Sequence, residues 1–188
     1  MNSKSKSLVK NTAILSFGTI CTKGIMFFMT PLLTRWLSQG DYGTFDLITT
    51  YVTLLIPFVT LDCGEAAFRY LVETKEDDND SMSHIISSAI FVTVGGLCIS
   101  GLVFIGIYFF YKPVQSYLAS FFFLLVTEAF YNFNVFVARG MKKLPIYTLA
   151  NIFFIISMSL FAVIMVKVMG LGLNGILLAY SFGYIVSA

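Results

Sequence analysis

The stretch IISSAIFVTVGGLCISGLVFIGIYFF, Ile85 to Phe110, contains no charged residue and no proline. A helix rises 1.5 Å per residue, so about 20 apolar residues cross a hydrocarbon core of about 30 Å, and this stretch exceeds that length. Comparable stretches lie on both sides of it: Asn11 to Leu33, Phe45 to Val72, Leu118 to Ala138, Tyr147 to Val166, and Leu171 to the end. They predict an all-α integral membrane protein, a six-transmembrane-helix bundle forming a single transmembrane domain over residues 1–188.

Composition agrees. The chain is 57% hydrophobic and 12% charged, with a mean hydropathy of +0.85, outside the range of a soluble domain. A net charge of +2 spread over such a chain gives no basic surface for nucleic acid. Cys21, Cys63 and Cys98 all fall inside apolar stretches, and their odd count and spacing suit packing rather than disulfides or a metal site. The basic leader Lys4, Lys6 and Lys10 precedes an apolar run that is too long for a signal peptide and contains Lys23, so that run is read as a membrane helix.

Lysine and arginine in the short loops set the orientation. With the N-terminus inside, Lys4, Lys6, Lys10, Arg69, Lys75, Arg139, Lys142 and Lys143 are cytoplasmic, against Arg35, Lys112 and Lys167 outside. Ser38 to Gly43 reads as a turn-rich outer loop whose two glycines supply positive φ, and Thr74 to Ser83 as a polar cytoplasmic loop. Lys112-Pro113 and Gly140 to Pro145 break the later connections. Tyr108, Tyr111, Tyr117 and Tyr147 fall near the interfaces, where amphipathic rings are favoured. The last stretch rises only about 27 Å and ends without a polar anchor, which reads as truncation before a second lobe.

Charges inside apolar stretches are the candidates for function, because an ionisable group in hydrocarbon must face protein or a water-filled path. They are Lys23, Asp46, Asp62, Glu65, Arg69 and Glu128, joined by Asn132. Counted from the cytoplasmic helix ends, Lys23 lies about 18 Å deep and Asp62 and Glu128 about 16 Å, so the three are expected together near the midplane. Thr12, Ser16, Thr19, Lys23 and Thr30 share one face of the first helix; Asp46, Thr49, Thr50, Thr53, Pro57 and Thr60 form a stripe on the second. Pro57 is expected to kink that helix. The competing account makes these charges interhelical or i,i+4 locks, Lys23 with Glu128 and Glu65 with Arg69.

Other signals point to structure. Gly170 to Gly175 spells G-x-G-x-x-G, yet a membrane-length helix precedes it, so it is a turn and not a nucleotide loop. Gly96 and Ser100 form a small-xxx-small pair suited to close helix packing. His84 at a helix boundary suits a surface or capping role, and Asn79-Asp80-Ser81 is a sequon on the cytoplasmic side. No nucleophile–base pair, metal cluster or phosphate loop is visible, so no catalytic or metal residues are assigned and the chain is read as a non-enzyme without cofactor.

Lys10-Asn11-Thr12, then Pro31 to Ser38, Asp41-Tyr42-Gly43, Ala67-Phe68-Arg69-Tyr70-Leu71 and Arg139-Gly140 resemble the start of bacterial polysaccharide (O-antigen) repeat-unit flippases. These belong to the multidrug/oligosaccharidyl-lipid/polysaccharide exporter superfamily. The resemblance covers the chain as an N-terminal lobe. It implies a transporter of twelve or more helices in two bundles, in the bacterial cytoplasmic (inner) membrane, N-terminus cytoplasmic. The implied substrate is undecaprenyl-pyrophosphate-linked oligosaccharide, turned to the outer leaflet by alternating access with proton or sodium countertransport. Implied partners are the lipid bilayer, the polysaccharide polymerase and assembly proteins. Lys23 would meet the substrate's pyrophosphate or sugar acids, and Asp62, Glu65 and Glu128 the cation. The acidic balance of this set also suits a multidrug or cation antiporter of the same superfamily. An integral-membrane envelope-synthesis enzyme would want a long outer loop, and every outer loop here is short.

Overall fold

The computed structural model describes residues 3–74, 78–110 and 115–188; side chains are described from Thr12 onward, except Ile14, Leu15, Gln115 and Ser116. The expectations placed on Lys75, Tyr111, Lys112 and Pro113, and on the side chains of Lys4, Lys6 and Lys10, lie outside the described residues. Among the described residues seven helices run in chain order: α1 (Ser3–Trp36), α2 (Gln39–Thr60), α3 (Cys63–Glu73), α4 (Asn79–Phe110), α5 (Gln115–Gly140), α6 (Leu144–Ala162) and α7 (Gly172–Ser187). Among the described residues there is no strand. A π-helical segment, Val163–Val168, extends α6.

Among the described residues five spans are long and apolar enough to cross a membrane: Ser16–Trp36, Gln39–Thr60, Asn79–Phe110, Tyr117–Gly140 and Leu144–Val168. The shorter apolar α7 is enclosed by α2, α5 and α6, with Ile176, Leu177, Ala179 and Ser181 fully buried. Around it, Val52, Leu124, Leu125, Met158 and Ala162 complete the apolar core. The outer surface is the reverse of a soluble protein's: Phe27, Phe58, Phe91, Phe109 and Phe110 stand exposed, Phe110 at 91%. A belt of that size suits lipid, since acyl chains solvate it and water would not.

The first two loops differ from the sequence expectation. Ser38 to Gly43 is not a loop: Ser38 caps α2, accepting the Asp41 N–H at 3.1 Å while its hydroxyl donates to the Asp41 carboxylate at 2.8 Å. That reciprocal bonding satisfies the helix start, and neither Gly40 nor Gly43 takes positive φ. The polar Thr74 to Ser83 loop is shorter than expected because α4 begins at Asn79. Asp78 accepts from the Ser81 hydroxyl at 2.8 Å and the Ser81 N–H at 3.1 Å, which holds its carboxyl below the ordinary carboxylate value. Half of the G-x-G-x-x-G run is a turn: Gly170 (φ 65°) and Leu171 link the π segment to α7, whose first residue, Gly172, has φ 54°, and Gly172 to Gly175 form that helix's first turn.

Close approaches fix the helix order. A Cβ on Gly96 would sit 1.8 Å from the Val59 carbonyl oxygen, so α2 lies with its backbone directly against α4. Gly183 meets Met158 in the same manner, bringing α7 onto α6. Lys167 stands over the Trp36 ring at 5.7 Å, and Gly18 abuts Thr148, so α1 and α6 run parallel. At the opposite end Arg139 lies over the rings of Phe68 (5.0 Å) and Tyr147 (5.4 Å). Cys63 and Cys21 are half-buried, as packing residues would be, but Cys98 is exposed on α4. His84 is exposed at its helix start.

Candidate functional site

The apolar stretch from Phe45 to Val72, expected as one kinked helix, is two helices separated by Leu61 and Asp62. Both residues adopt left-handed conformations, φ 49° and 53°. For side chains other than glycine that costs about 1–2 kcal/mol each, so the surrounding structure must impose it. Pro57 supplies the means. Its carbonyl accepts both the Leu61 N–H and the Asp62 N–H, the latter at 3.1 Å, closing α2 with a wide turn. The bend thus falls four residues beyond the proline rather than at it. The carbonyls of Phe58, Val59 and Thr60 are left without partners inside the helix.

The break aims α3 between α4 and α5. Gly64 and Gly140 permit this: a Cβ on Gly64 would meet Phe136 at 2.9 Å, and one on Gly140 would meet Leu71 at 2.9 Å. A cavity of 230 Å³ opens beside the break, lined by Thr53, Pro57, Thr60 and Asp62 from α2 and its turn, Thr93 from α4, and Asn132 from α5, with Ile56, Ala129 and Phe133 as apolar walls. The threonines of α2 bond backward, Thr53 to the Thr49 carbonyl at 2.9 Å and Thr60 to the Ile56 carbonyl at 2.8 Å. Thr93 is 2% exposed, and its hydroxyl has no hydrogen-bond partner among the described residues. Asp62 also borders a second cavity of 500 Å³ with Glu65, Arg69 and Glu73. There the expected Glu65–Arg69 bridge is present at 2.7 Å, with both side chains largely exposed.

The structure does not gather the expected trio. Asp62 and Asn132 share the cavity, whereas Lys23, Asp46 and Glu128 are not among its lining residues. Lys23 and Asp46 are exposed on α1 and α2, and no carboxylate among the described residues bridges Lys23. The lock between Lys23 and Glu128 is therefore not formed. Its reason lies in the packing: α1 sits mainly against α6, while Glu128 turns toward α7. Glu128 is half-buried, beside Tyr184 of α7.

Residues that periodicity did not single out surround Glu128. Tyr184 stacks on Phe154 at 4.3 Å, Tyr131 packs 5.0 Å from Tyr184, and the Tyr131 hydroxyl donates to the Asn151 side-chain oxygen at 3.1 Å. A tyrosine pair at i,i+4, Tyr180 and Tyr184, inside an otherwise apolar helix was the available signal. Thr93 was likewise missed, since a lone threonine in an apolar run is unremarkable until its neighbours are known.

Lipid-length helices around polar cavities at a broken second helix define a multi-pass membrane protein. The chain matches the family described as polysaccharide biosynthesis protein over residues 8–188 and belongs to it. Its role is that of a membrane transporter in polysaccharide synthesis. No curated protein and no solved structure matches the chain.

Proposed function

We propose that the protein is a flippase that moves lipid-linked oligosaccharide repeat units across the cytoplasmic membrane during polysaccharide biosynthesis. The observation that carries this reading is the family match over residues 8–188, on a bundle whose helices are of membrane length. Members of that family are generally transporters, which argues against an envelope-synthesis enzyme.

The geometry supports a path along one side of the bundle. Thr12, Ser16, Thr19 and Lys23 on α1 and Asp46, Thr50 and Thr53 on α2 are all exposed, although they are polar and sit in apolar helices. Facing lipid they would cost several kcal/mol, so they line a hydrated cavity against a second lobe. Lys23 is the cation there for the pyrophosphate or sugar acids of an undecaprenyl-linked cargo. The acids serve a coupling proton or sodium ion. Arg69, Arg139, Lys142 and Lys143 gather toward one end of the bundle and Arg35 and Lys167 toward the other, which supports a cytoplasmic N-terminus. The polysaccharide polymerase and assembly proteins would take up the translocated units.

The test is deletion of the encoding gene in its host. Loss of surface polysaccharide, with lipid-linked oligosaccharide retained on the cytoplasmic leaflet, is expected. The acidic surplus at the break favours one other reading, a drug or cation antiporter. Unchanged polysaccharide together with heightened sensitivity to cationic drugs would select that reading and overturn the flippase.

A further inference from the structure

We propose that the cavity beside the α2–α3 break is a subsite for one uncharged sugar ring, a hexose or an N-acetylated amino sugar, held by Asp62, Thr93 and Asn132 and walled by Phe133 and Phe136. The ring comes from the lipid-linked cargo, so the assignment rests on the flippase reading, to which it adds a choice among sugars. Size is the first constraint. At 230 Å³ the cavity lies below the roughly 300–1,000 Å³ of pockets for drug-sized ligands, which leaves room for one ring and not for an oligosaccharide.

The lining selects the class of ligand. Phe133 and Phe136 give the cavity aromatic walls, while its polar groups are a carboxylate, an amide and hydroxyls. A pyranose ring has the same two aspects, with C–H groups on its faces and hydroxyls around its edge. Each of those hydroxyls donates one hydrogen bond and accepts others. Ionised Asp62 only accepts, and the Asn132 amide both donates and accepts. Thr53 and Thr60 already donate to the Thr49 and Ile56 carbonyls, so they add lone pairs. Thr93 is 2% exposed, and its hydroxyl has no partner among the described residues. Leaving a buried hydroxyl unpaired is costly, and a sugar hydroxyl in this cavity would relieve that cost.

Charge decides which sugars fit. No basic residue lines the cavity; Arg69 lies in the neighbouring one, bridged to Glu65 at 2.7 Å. A uronic acid or a sugar phosphate would set its negative charge beside Asp62 with no counter-charge. Acidic groups of the cargo are thereby left to Lys23, which does not line this cavity. Asp62 then serves the cargo, and Asp46, Glu65 and Glu128 remain for a coupling ion. Thr53 belongs both to the exposed polar stripe of α2 and to the cavity wall, which joins the subsite to the hydrated path.

The experiment is saturation-transfer NMR on the purified protein in lipid nanodiscs, in choline chloride, with glucose, N-acetylglucosamine and glucuronate as separate probes. Wild type is expected to transfer saturation to at least one of the two neutral sugars and none to glucuronate. Asp62→Asn removes the repulsion and should admit glucuronate. Thr93→Val should weaken binding of the neutral sugar about tenfold, the worth of one buried hydrogen bond, while unfolding at no lower temperature than wild type. Thr148→Val removes another buried unpartnered hydroxyl, where α6 meets Gly18 of α1, and should leave sugar binding unchanged. Four results would each overturn the subsite: no transfer to either neutral sugar, equal transfer to glucuronate in wild type, undiminished binding in Thr93→Val, or displacement of the sugar when sodium replaces choline. The last would give the cavity to an ion. Free sugars need no transport to bind, so these failures would leave the flippase reading intact, whereas polysaccharide export that does not depend on the gene would overturn the flippase and leave a measured sugar site standing.

Discussion

Gly96→Ala tests whether α2 is held against α4 by backbone contact. The added Cβ would lie 1.8 Å from the Val59 carbonyl oxygen and 3.0 Å from its carbon, and neither atom can rotate away as a side chain could. Restoring an ordinary contact of roughly 3.3 Å requires α2 to retreat by about 1.5 Å, and the whole turn from Pro57 to Asp62 moves with it. Overpacking of this kind costs about 1–3 kcal/mol, toward the upper figure where backbone must shift. The neighbouring Gly95 has nothing within 4 Å of its own Cβ position, so Gly95→Ala is the matched control. It should be neutral or stabilising by about 0.5–1 kcal/mol through helix propensity. Thermal unfolding of both variants in nanodiscs gives the answer. Equal midpoints for Gly96→Ala and Gly95→Ala would refute the α2–α4 contact and with it the position of the cavity.

Lys23→Ala should insert at normal abundance and lose surface polysaccharide, with Lys23→Arg partly active, because Lys23 is exposed and bridged by no carboxylate among the described residues; wild-type polysaccharide at normal abundance would remove it from the path. Breaking the Glu65–Arg69 pair should hardly alter stability, since both side chains are largely exposed and water and salt screen them, as a double-mutant cycle at two salt concentrations would show. Asp78→Ala should fray the start of α4, raising amide exchange around Ser81. The native carboxyl is held below its ordinary value by Ser81, so its contribution is present above the unfolded value and lost as pH falls through the folded one; exchange of wild type should rise toward the variant's in acid. A single cysteine at Ser83, in a variant without the native cysteines, should resist an impermeant thiol reagent in intact cells and react after permeabilisation. Labelling in intact cells would reverse the topology.

What was legible in the sequence is what local chemistry dictates. Length and uninterrupted apolarity decided the membrane spans, because the bilayer thickness sets the number of residues. Period 3.6 decided that Lys23 and Asp46 stand on polar faces, and i,i+4 spacing decided the Glu65–Arg69 pair. Gly96 announced a close helix contact. Tertiary structure decided the break at Leu61–Asp62, because Asp62 tolerates left-handed backbone but Leu61 disfavours it; the turn is imposed by the Pro57 carbonyl and by the docking of α3 on Gly140. It also decided that Glu128 meets Tyr184 and not Lys23, since depth along a helix says nothing of which neighbour lies across it. Thr93 gained its place in the same way. A threonine is unexceptional in one helix, and only the packing of three helices puts its buried hydroxyl in the same cavity as Asp62 and the broken backbone.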